Sequence, residues 1–369
     1  MHYFKKSLEQ LKERGRYRSL TLSEGIDLTS NDYLGFRDHP KLREAALRAI
    51  ESGIDLGSGG SRLLRGNHSA HEELEAFSAE FFGYERSLYF VTGFQANYAL
   101  FTTLLTRHDV VLYDSLIHAS VKDGIHAGHA KGVKVEHNDL NAYEDALKRF
   151  RDEAQQIFIA VESLYSMDGD FAPLQELYDL AQKYDAILIV DEAHATGVWG
   201  ESGKGCAESL PRENLMTLHT CGKALGIAGG LVCASGNIID TLINTARPFI
   251  YSTAPPPLQA VLVREAFRLV QSEEGKERRQ RLHSICNNVK SQMGGAGSQI
   301  VPIILGEDSH AVFVASALQK AGFDIRAIRP PTVPEGSARL RLSLNADLDK
   351  EALDQFFVHL MPYLQDQAA

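Results

Sequence analysis

The sequence predicts an α/β fold, with a large domain built on a mostly parallel seven-stranded sheet and a smaller α+β domain after it. In the middle of the chain, short apolar runs alternate with helical patterns, as in sheets covered by helices on both faces. The runs are continuously apolar, which suits strands that are buried on both faces. At 369 residues, the chain also exceeds the usual size of one compact domain.

Seven strands are predicted for the large domain, and helical patterns separate most of them. The helix predicted over 72–82 precedes the first strand. The helix predicted over 172–184 has Pro173 in its first turn, where the missing N–H costs nothing. The predicted strands begin, in chain order, at Ser87, Val110, Val133, Ile157, Ala186, Leu215 and Gly230.

The alternation of strands and helices stops at the prolines 255–257. We therefore predict an N-terminal segment of residues 1–38, a large domain of residues 39–256 and a C-terminal domain of residues 257–369. The C-terminal domain should open with a long helix that ends near Gln271, because the pattern after the prolines is helical.

Two amphipathic patterns lie outside the large domain. Near the start of the chain, Phe4, Leu8 and Leu11 recur at helical spacing and are expected to form the buried face of a helix with basic residues on its other side. Near the end, Arg339 and Arg341 alternate with leucines, which predicts a strand with both arginines on one face.

The composition argues against several classes of protein. A formal charge of −10 disfavours nonspecific binding to nucleic acid, which needs a basic surface. No apolar run approaches the roughly 20 residues of a membrane-spanning helix, and no secretory signal is visible, so we expect a soluble cytoplasmic protein that does not bind membranes. The four cysteines lack metal-binding spacing, so we expect neither a disulfide framework nor a metal.

Two polar residues follow predicted buried strands, at the edge where open α/β sheets bind ligands. Asp191 ends one strand, and Lys223 lies among small residues after another. Alone, Asp191 would be interpreted as a helix N-cap and Lys223 as a surface cation. Together they match the needs of pyridoxal 5'-phosphate (PLP), whose pyridine nitrogen requires a carboxylate and whose aldehyde requires a lysine amine. The pair therefore predicts a PLP site.

Long ordered motifs extend this interpretation to nearly the whole chain. They are SNDYLG at 30–35, GSGGSR at 57–62, TGFQAN at 92–97, SMDGD at 166–170, DEAHATG at 191–197, TCGKALG at 220–226 and YST at 251–253. With these motifs the sequence resembles the α-oxoamine synthases, a branch of the fold-type I PLP-dependent transferases in the class II aminotransferase superfamily. The resemblance implies a homodimeric PLP-dependent acyltransferase with shared active sites, which joins a small amino acid to an acyl-CoA.

The resemblance also implies roles for the residues around the cofactor. Lys223 resembles the Schiff-base lysine, which also moves the proton at the substrate α-carbon, and Asp191 resembles the partner of the pyridinium nitrogen. His194 resembles the histidine that hydrogen-bonds the phenolic oxygen of the cofactor. His118 resembles the histidine that stacks on its ring, and Ser166 stands where the family places a further cofactor contact.

Five residues are expected at the cofactor phosphate. Gly93 and Phe94 resemble the family's backbone donors at a helix start, where N–H groups and the helix dipole favour an anion. Thr220 would add a hydroxyl. Ser252 and Thr253 match the positions from which the neighbouring subunit reaches the phosphate, so the dimer is the expected working unit.

The substrate residues follow from the same resemblance. Asn31 and Arg341 resemble the pair that grips the carboxylate of the amino acid, a group suited to a planar guanidinium. Arg18 is our choice for the arginine that meets the acyl substrate, with Arg16 as the reserve.

The proline-rich loop 328–334 holds Arg329 and Thr332 on a stiff backbone and could shape the acyl site. This loop looks most like the branch that condenses L-alanine with pimeloyl-CoA, or a pimeloyl carrier-protein thioester, in biotin synthesis.

The sequence leaves other functions open. Sister synthases that use glycine or serine with another acyl-CoA share most of the motifs, and a transaminase or aldolase would use the same Lys223 and Asp191. A noncatalytic relative would be expected to lose the lysine. A nucleotide-binding or NAD-dependent protein has little support, because Arg62 stands where the G-x-G-x-x-G motif that begins at Gly57 needs its last glycine.

Overall fold

The computed structural model describes residues 2–365, which separate into two compact units. The larger unit comprises Leu34–Ser166 and Asp170–Gln280. The smaller unit comprises the chain up to Tyr33, Met167–Gly169, and the chain from Arg281 onward. The contacts thus divide the chain near residues 33 and 280. The domain boundaries at residues 38 and 256 stay a prediction.

Twelve strands and thirteen helices are found among the described residues. In chain order the strands are β1 Ile26–Asp27, β2 Arg86–Phe90, β3 Val110–Asp114, β4 Lys131–Val135, β5 Ile157–Glu162, β6 Ala186–Asp191, β7 Leu215–Thr220, β8 Gly230–Ala234, β9 Ile300–Gly306, β10 Phe323–Asp324, β11 Ala327–Ile328 and β12 Ala338–Ser343. The helices are α1 His2–Glu13, α2 Pro40–Glu51, α3 Ser69–Phe82, α4 Gly93–Thr103, α5 Ala119–Ala127, α6 Leu140–Phe150, α7 Leu174–Lys183, α8 Gly236–Thr245, α9 Arg247–Ile250, α10 Pro257–Gln271, α11 Glu273–Met293, α12 Asp308–Lys320 and α13 Lys350–Gln365.

The larger unit is built on a seven-stranded sheet with the order β2-β8-β7-β6-β5-β3-β4. The four pairings between β7 and β4 are parallel, and β8 runs antiparallel to both of its neighbours. This confirms the predicted α/β class and the mostly parallel seven-stranded sheet. The carboxyl ends of β3, β5, β6 and β7 therefore share one edge, where the polar motifs follow them.

Both faces of this sheet are buried, as the apolar runs predicted. Successive residues of β3 point to opposite sides: Val111 packs in a cluster with α4, α5, α8 and α9, and Leu112 packs in a cluster with α6 and α7. Each such fully buried side chain contributes roughly 1.5–3 kcal/mol of hydrophobic stabilisation. This two-sided core holds the strand ends in place.

Three helices of the larger unit begin at histidine caps. The Nδ1 atoms of His39, His68 and His118 accept hydrogen bonds from the backbone N–H two residues later, at 3.2, 3.0 and 3.2 Å. Ser, Thr, Asp and Asn are the residues usually preferred at this position. Because His68 caps α3, the helix that was predicted over 72–82 begins three residues earlier, at Ser69.

The smaller unit contains α+β structure of its own. Strands β11, β12 and β9 form an antiparallel sheet, and β1 pairs in parallel with β10. Strand β12 confirms the predicted alternating strand, with Arg339 and Arg341 both buried.

The N-terminal helix departs from its prediction. The apolar side chains Phe4, Leu8 and Leu11 of α1 are exposed, not buried. The amphipathic pattern predicted the helix correctly, but it cannot supply a surface for the apolar face to pack against.

All four cysteines are free thiols. Across residues 2–365, no helix is both long and apolar enough to cross a bilayer. In the same part of the chain, no group of three or more His, Cys, Asp or Glu side chains is arranged to hold a metal ion.

Candidate active site

Asp191 lies at the carboxyl end of β6 and is buried. Its Oδ2 accepts a hydrogen bond from Asn97 Nδ2 at 2.7 Å, and its Oδ1 accepts one from the backbone N–H of Ala193 at 2.9 Å. Asn97 comes from the second turn of α4 and is also buried. Two short hydrogen bonds therefore fix the orientation of the Asp191 carboxylate.

A chain of polar side chains connects Asp191 to His118. Asn97 Nδ2 also donates to Ser120 Oγ at 3.1 Å, and Ser120 Oγ lies 2.8 Å from His118 Nδ1. Partial desolvation by the surrounding protein lowers the pKa of His118 below its usual value. The charge of Asp191 opposes this shift, and the charge of Lys223 adds to it. The imidazole is therefore neutral at pH 7.

Glu162 is a second buried carboxyl group at this edge of the sheet. It ends β5 and is the register partner of Asp191 on β6. Its Oε2 accepts a hydrogen bond from the backbone N–H of Ser166 at 3.1 Å. Burial and the nearby charge of Asp191 raise the pKa of Glu162 to about 8, so Glu162 is protonated at neutral pH.

Lys223 lies in a tight loop between β7 and β8. The Gly226 N–H donates to Lys223 O at 2.8 Å, and the Cys221 N–H donates to Gly229 O at 2.9 Å. Gly226 has φ +70°, and a Cβ there would approach the backbone N of Arg37 to 2.4 Å. Only glycine fits this position, so the loop that presents Lys223 depends on it.

The helix start predicted for an anion lies beside Thr220. Gly93 is the first residue of α4, whose N-cap Thr92 accepts a hydrogen bond from the Gln95 N–H at 3.1 Å. A Cβ at Gly93 would lie 2.4 Å from Thr220 Oγ1, so the glycine backbone and the hydroxyl face each other closely. The next side chain, Phe94, is exposed, and its ring is 6.5 Å from the His118 ring in an edge-on arrangement.

The remaining cofactor candidates fall into two groups. His194 and Ser166 are buried close to these strand ends, three residues after Asp191 and four residues after Glu162. Ser252 and Thr253 lie on the loop between α9 and α10. That loop is held by hydrogen bonds from the Ala254 N–H to Gly60 O and from Ser58 to Pro255 O.

The predicted carboxylate pair lies in the smaller unit and is joined through a tyrosine. Arg341 is buried on β12, where it donates to Ser343 Oγ at 2.9 Å and to the Tyr33 hydroxyl at 3.2 Å. The Tyr33 hydroxyl in turn donates to Asn31 Oδ1 at 3.0 Å. The alternative of a solvated strand face is wrong for Arg341, because its side chain is 7% exposed.

The candidates for the acyl substrate also meet in the smaller unit. Arg18 Nη2 donates to Thr332 Oγ1 at 3.3 Å, and Arg329 donates to the carbonyl of Gly15. Arg16, the reserve candidate, is instead engaged by the carboxylates of Asp308 and Glu335. Arg16 thus contacts two carboxylates of the protein and Arg18 a hydroxyl, and the choice of Arg18 stays a prediction.

The chain is similar over most of its length to a known family of proteins. The model of the family described as aminotransferase class I and II matches residues 23–360. This chain belongs to that family. The 8-amino-7-oxononanoate synthase of Geobacter sulfurreducens is 42% identical to it over 94% of each chain. The family resemblance read from the motifs is therefore confirmed.

Two solved structures support the fold assignment. A variant serine palmitoyltransferase from S. paucimobilis, with a bound adduct of PLP and myriocin, has a TM-score of 0.89 at 26% identity and covers 99% of this chain and 97% of that chain. The 8-amino-7-oxononanoate synthase of Francisella tularensis has a TM-score of 0.77 at 27% identity and covers 94% and 99%. The chain has the fold of these transferases.

Sequence reasoning missed four residues that the structure adds. Asn97 and Tyr33 both lie inside motifs that were recognised, but no role was assigned to them. Ser120 follows His118 by two residues and connects it to Asn97. Glu162 could have been found by the signal that found Asp191, since both are acids at the ends of buried strands.

Proposed function

We propose that this chain is a PLP-dependent acyltransferase that condenses L-alanine with pimeloyl-CoA or a pimeloyl carrier-protein thioester. The products are 8-amino-7-oxononanoate, carbon dioxide and the free thiol, which places the enzyme in biotin synthesis. The observation that carries the proposal is the 42% identity to the Geobacter sulfurreducens synthase over 94% of each chain. We further propose a cytoplasmic homodimer.

The residues of the larger unit fit PLP. Two buried polar atoms, Asn97 Oδ1 and Glu162 Oε1, have no hydrogen-bond partner in the protein, and both lie beside Asp191. A carboxylate, a lysine amine and a helix start next to a hydroxyl supply what the pyridine nitrogen, the aldehyde and the phosphate of PLP require. Neither Gly93 nor Gly226 tolerates a side chain without displacing Thr220 or the backbone of Arg37.

Each candidate then has a role in holding the cofactor. Asp191 would face the pyridine nitrogen, with Asn97 fixing its orientation. Lys223 would hold the aldehyde carbon through its amine. His118 would stack on the ring in its neutral form. His194 would hydrogen-bond the phenolic oxygen, and Ser166 would make a further contact with the cofactor.

The phosphate would be bound by backbone groups at the start of α4. Gly93 and Phe94 offer N–H groups in the first turn of that helix, and Thr220 adds a hydroxyl. Ser252 and Thr253 would complete the phosphate site of a second copy of the chain. Their loop is held by hydrogen bonds that join Ala254 to Gly60 and Ser58 to Pro255.

The chemistry of the reaction is divided between the cofactor and the chain. Bound PLP accepts the electrons released when the α-proton of alanine is removed, and again when carbon dioxide leaves. Lys223 would remove that proton and later return one to the same carbon. Arg341 and Asn31 would hold the carboxylate of alanine, a group that suits a planar guanidinium. Arg18, Arg329 and Thr332 would bind the acyl thioester.

One further function has a specific observation in its favour. A sister synthase that uses serine or glycine with another acyl-CoA would share this site, and the structural match to a serine palmitoyltransferase has a TM-score of 0.89. Sequence identity favours the first candidate: it is 42% to the Geobacter sulfurreducens synthase and 30% to the serine palmitoyltransferase of Sphingomonas wittichii. The first candidate is therefore preferred.

Thiol release tests the proposal directly. The purified, PLP-loaded protein is offered L-alanine, glycine or L-serine with pimeloyl, acetyl, succinyl or palmitoyl thioesters, each as CoA and as carrier-protein forms. We expect release with L-alanine and a pimeloyl thioester alone. Release with glycine or serine and another acyl group would move the protein to a sister reaction, and release with no pair would contradict both.

A further inference from the structure

The N-terminal segment of the smaller unit is almost entirely exposed. Of residues 4–26, Arg16 is the one whose side chain is not classed with the exposed residues, and it is 22% exposed. The apolar side chains of this segment, among them Leu20 and Leu22, face solvent. Within the chain, polar contacts rather than burial attach the segment: Arg16 makes ion pairs, Gly15 accepts a hydrogen bond from Arg329, and Thr21 accepts one from Arg326.

Arg16 joins two separate parts of the smaller unit. Its Nε donates to Asp308 Oδ2 at 2.7 Å, and its Nη1 and Nη2 donate to the two carboxylate oxygens of Glu335 at 2.9 and 2.5 Å. Asp308 begins α12, and Glu335 lies in the connection between β11 and β12, directly after the proline-rich loop 328–334. Three of the guanidinium donors are thus used, in a geometry that a lysine cannot reproduce.

The attachment lies next to the acyl-substrate candidates. Two residues after Arg16, Arg18 reaches Thr332 on the same loop that carries Glu335. One residue before Arg16, the carbonyl of Gly15 accepts a hydrogen bond from Arg329. A surface cavity of about 620 Å³ is lined by Arg16, Asp308, Ser309 and Glu335. Polar contacts therefore hold the chain on both sides of Arg18, at Arg16 and at Thr21.

We propose that Arg16, Asp308 and Glu335 form a latch that positions Arg18 beside Thr332, and that the latch controls affinity for the acyl thioester. This proposal rests on the proposed function. The three residues are positioning residues, because the guanidinium of Arg16 is engaged by the two carboxylates. The Arg16 latch fixes one side of the acyl site and has no part in binding the amino acid.

The contacts of the latch explain why salt should affect it. Asp308 is 18% exposed, but Glu335 is 74% exposed, so the Glu335 half is open to screening by ions. Both carboxylates hold the pKa of Arg16 above its ordinary value, so the arginine stays charged at every working pH. Added salt should therefore weaken the acyl site while leaving the protonation of the latch unchanged.

The test compares four variants by steady-state kinetics. They are Arg16→Gln, Asp308→Asn combined with Glu335→Gln, the triple combination of these, and Arg16→Lys. The matched control is Arg86→Gln, which breaks an exposed ion pair with Asp240 in the larger unit. KM for pimeloyl-CoA, KM for L-alanine and kcat are measured for each at low and high salt.

We expect Arg16→Gln to raise KM for pimeloyl-CoA about tenfold, as for loss of a charge-assisted contact. KM for L-alanine should stay within about twofold, and Arg16→Lys should restore only part of the loss. The Asp308–Glu335 double variant should behave like Arg16→Gln, and the triple variant should be no worse than either, because all three remove one interaction. Equal rises in both KM values, or additive losses, would overturn the latch.

A structural readout separates this inference from the proposed function. Limited trypsin cleavage after Arg14 and Arg18, followed by mass spectrometry, should be faster in Arg16→Gln and in the double variant than in the wild type or Arg86→Gln. Unchanged cleavage would overturn the latch alone, even in an active enzyme. A wild-type protein that releases no thiol would overturn the proposed function, and with it the positioning role.

Discussion

The polar groups around Asp191 and those around Arg16 are held by different forces. Asp191, Asn97 and Glu162 are buried at strand ends and a helix turn of the larger unit, between two apolar clusters. Arg16 and Arg18 belong to an exposed segment of the smaller unit that ion pairs attach. The first arrangement is rigid because the sheet is rigid, whereas the second depends on a few charges. The buried arrangement around Asp191 suits the chemistry that the members of a family share. The exposed segment around Arg16 suits contacts that select the substrate.

The largest effect is expected from Lys223→Ala, which removes the reacting amine from the buried arrangement. We expect kcat to fall at least about 10³-fold, since Lys223 would both hold the cofactor and move the proton. The borohydride-reducible adduct with PLP should also disappear, as measured by absorbance and mass spectrometry. The exposed Lys134→Ala on β4 is the control. A persistent adduct in Lys223→Ala would contradict the assignment.

Asn97→Ala should show how far the rigidity of Asp191 matters. The change removes a 2.7 Å hydrogen bond to a buried carboxylate, and such bonds to charged groups are worth about 1.5–3 kcal/mol. We expect PLP affinity, measured by equilibrium dialysis, to fall roughly 10- to 100-fold. Ser120→Ala keeps the bond between Asn97 and Asp191 and should cost much less. Similar losses in the two variants would mean that Asn97 acts through Ser120 instead.

Tyr33→Phe should have a smaller and more selective effect. The hydroxyl joins Arg341 to Asn31 through two hydrogen bonds, of 3.2 Å to Arg341 and 3.0 Å to Asn31. Its loss should raise KM for L-alanine about 3- to 10-fold, with kcat and KM for the acyl thioester little changed. Tyr143→Phe is the matched control, because the Tyr143 hydroxyl is buried and has no partner. An unchanged KM for alanine would exclude Tyr33 as the link.

The smallest effect on activity is expected at an ion pair of the larger unit that is outside the proposed chemistry, where the change is in stability. His137 bridges Asp114 at 2.8 Å and Asp170 at 2.7 Å, and the hydrogen bonds to these carboxylates outweigh desolvation and raise its pKa to about 10. His137→Gln should lower the free energy of unfolding by about 2 kcal/mol at pH 6.

The pH dependence follows from the sign of that shift. An unfolded histidine has a pKa near 6.5, so the stabilisation by His137 is complete below that pH and is lost as the pH rises toward 10. Urea unfolding at pH 6, 8 and 9.5 should show the wild type and His137→Gln converging at high pH. A constant difference between them would mean that the charge of His137 does not contribute.

The two regions also differ in what the sequence could predict about them. The strands, and Asp191 and Lys223 as polar residues that follow them, were predicted because an apolar run ends where the chemistry begins. Burial of the N-terminal helix was predicted wrongly, because amphipathicity does not identify a packing partner. The roles assigned to the site residues stay predictions, and those of Gly93, Thr220, His118, His194, Ser252 and Thr253 rest on the family motifs.

The sequence alone determined the order of elements, the two-sided sheet and the edge at which the polar motifs gather. These follow from short-range patterns of apolar residues and from glycines that admit no side chain. Only the tertiary structure decided that Asn97 holds Asp191, that Tyr33 joins Asn31 to Arg341, and that Arg16 is engaged by Asp308 and Glu335. The last two of these links connect residues about 300 positions apart. Side-chain hydrogen bonds and ion pairs leave no periodic trace in a sequence, so such partners are known only when the fold brings them within about 3 Å.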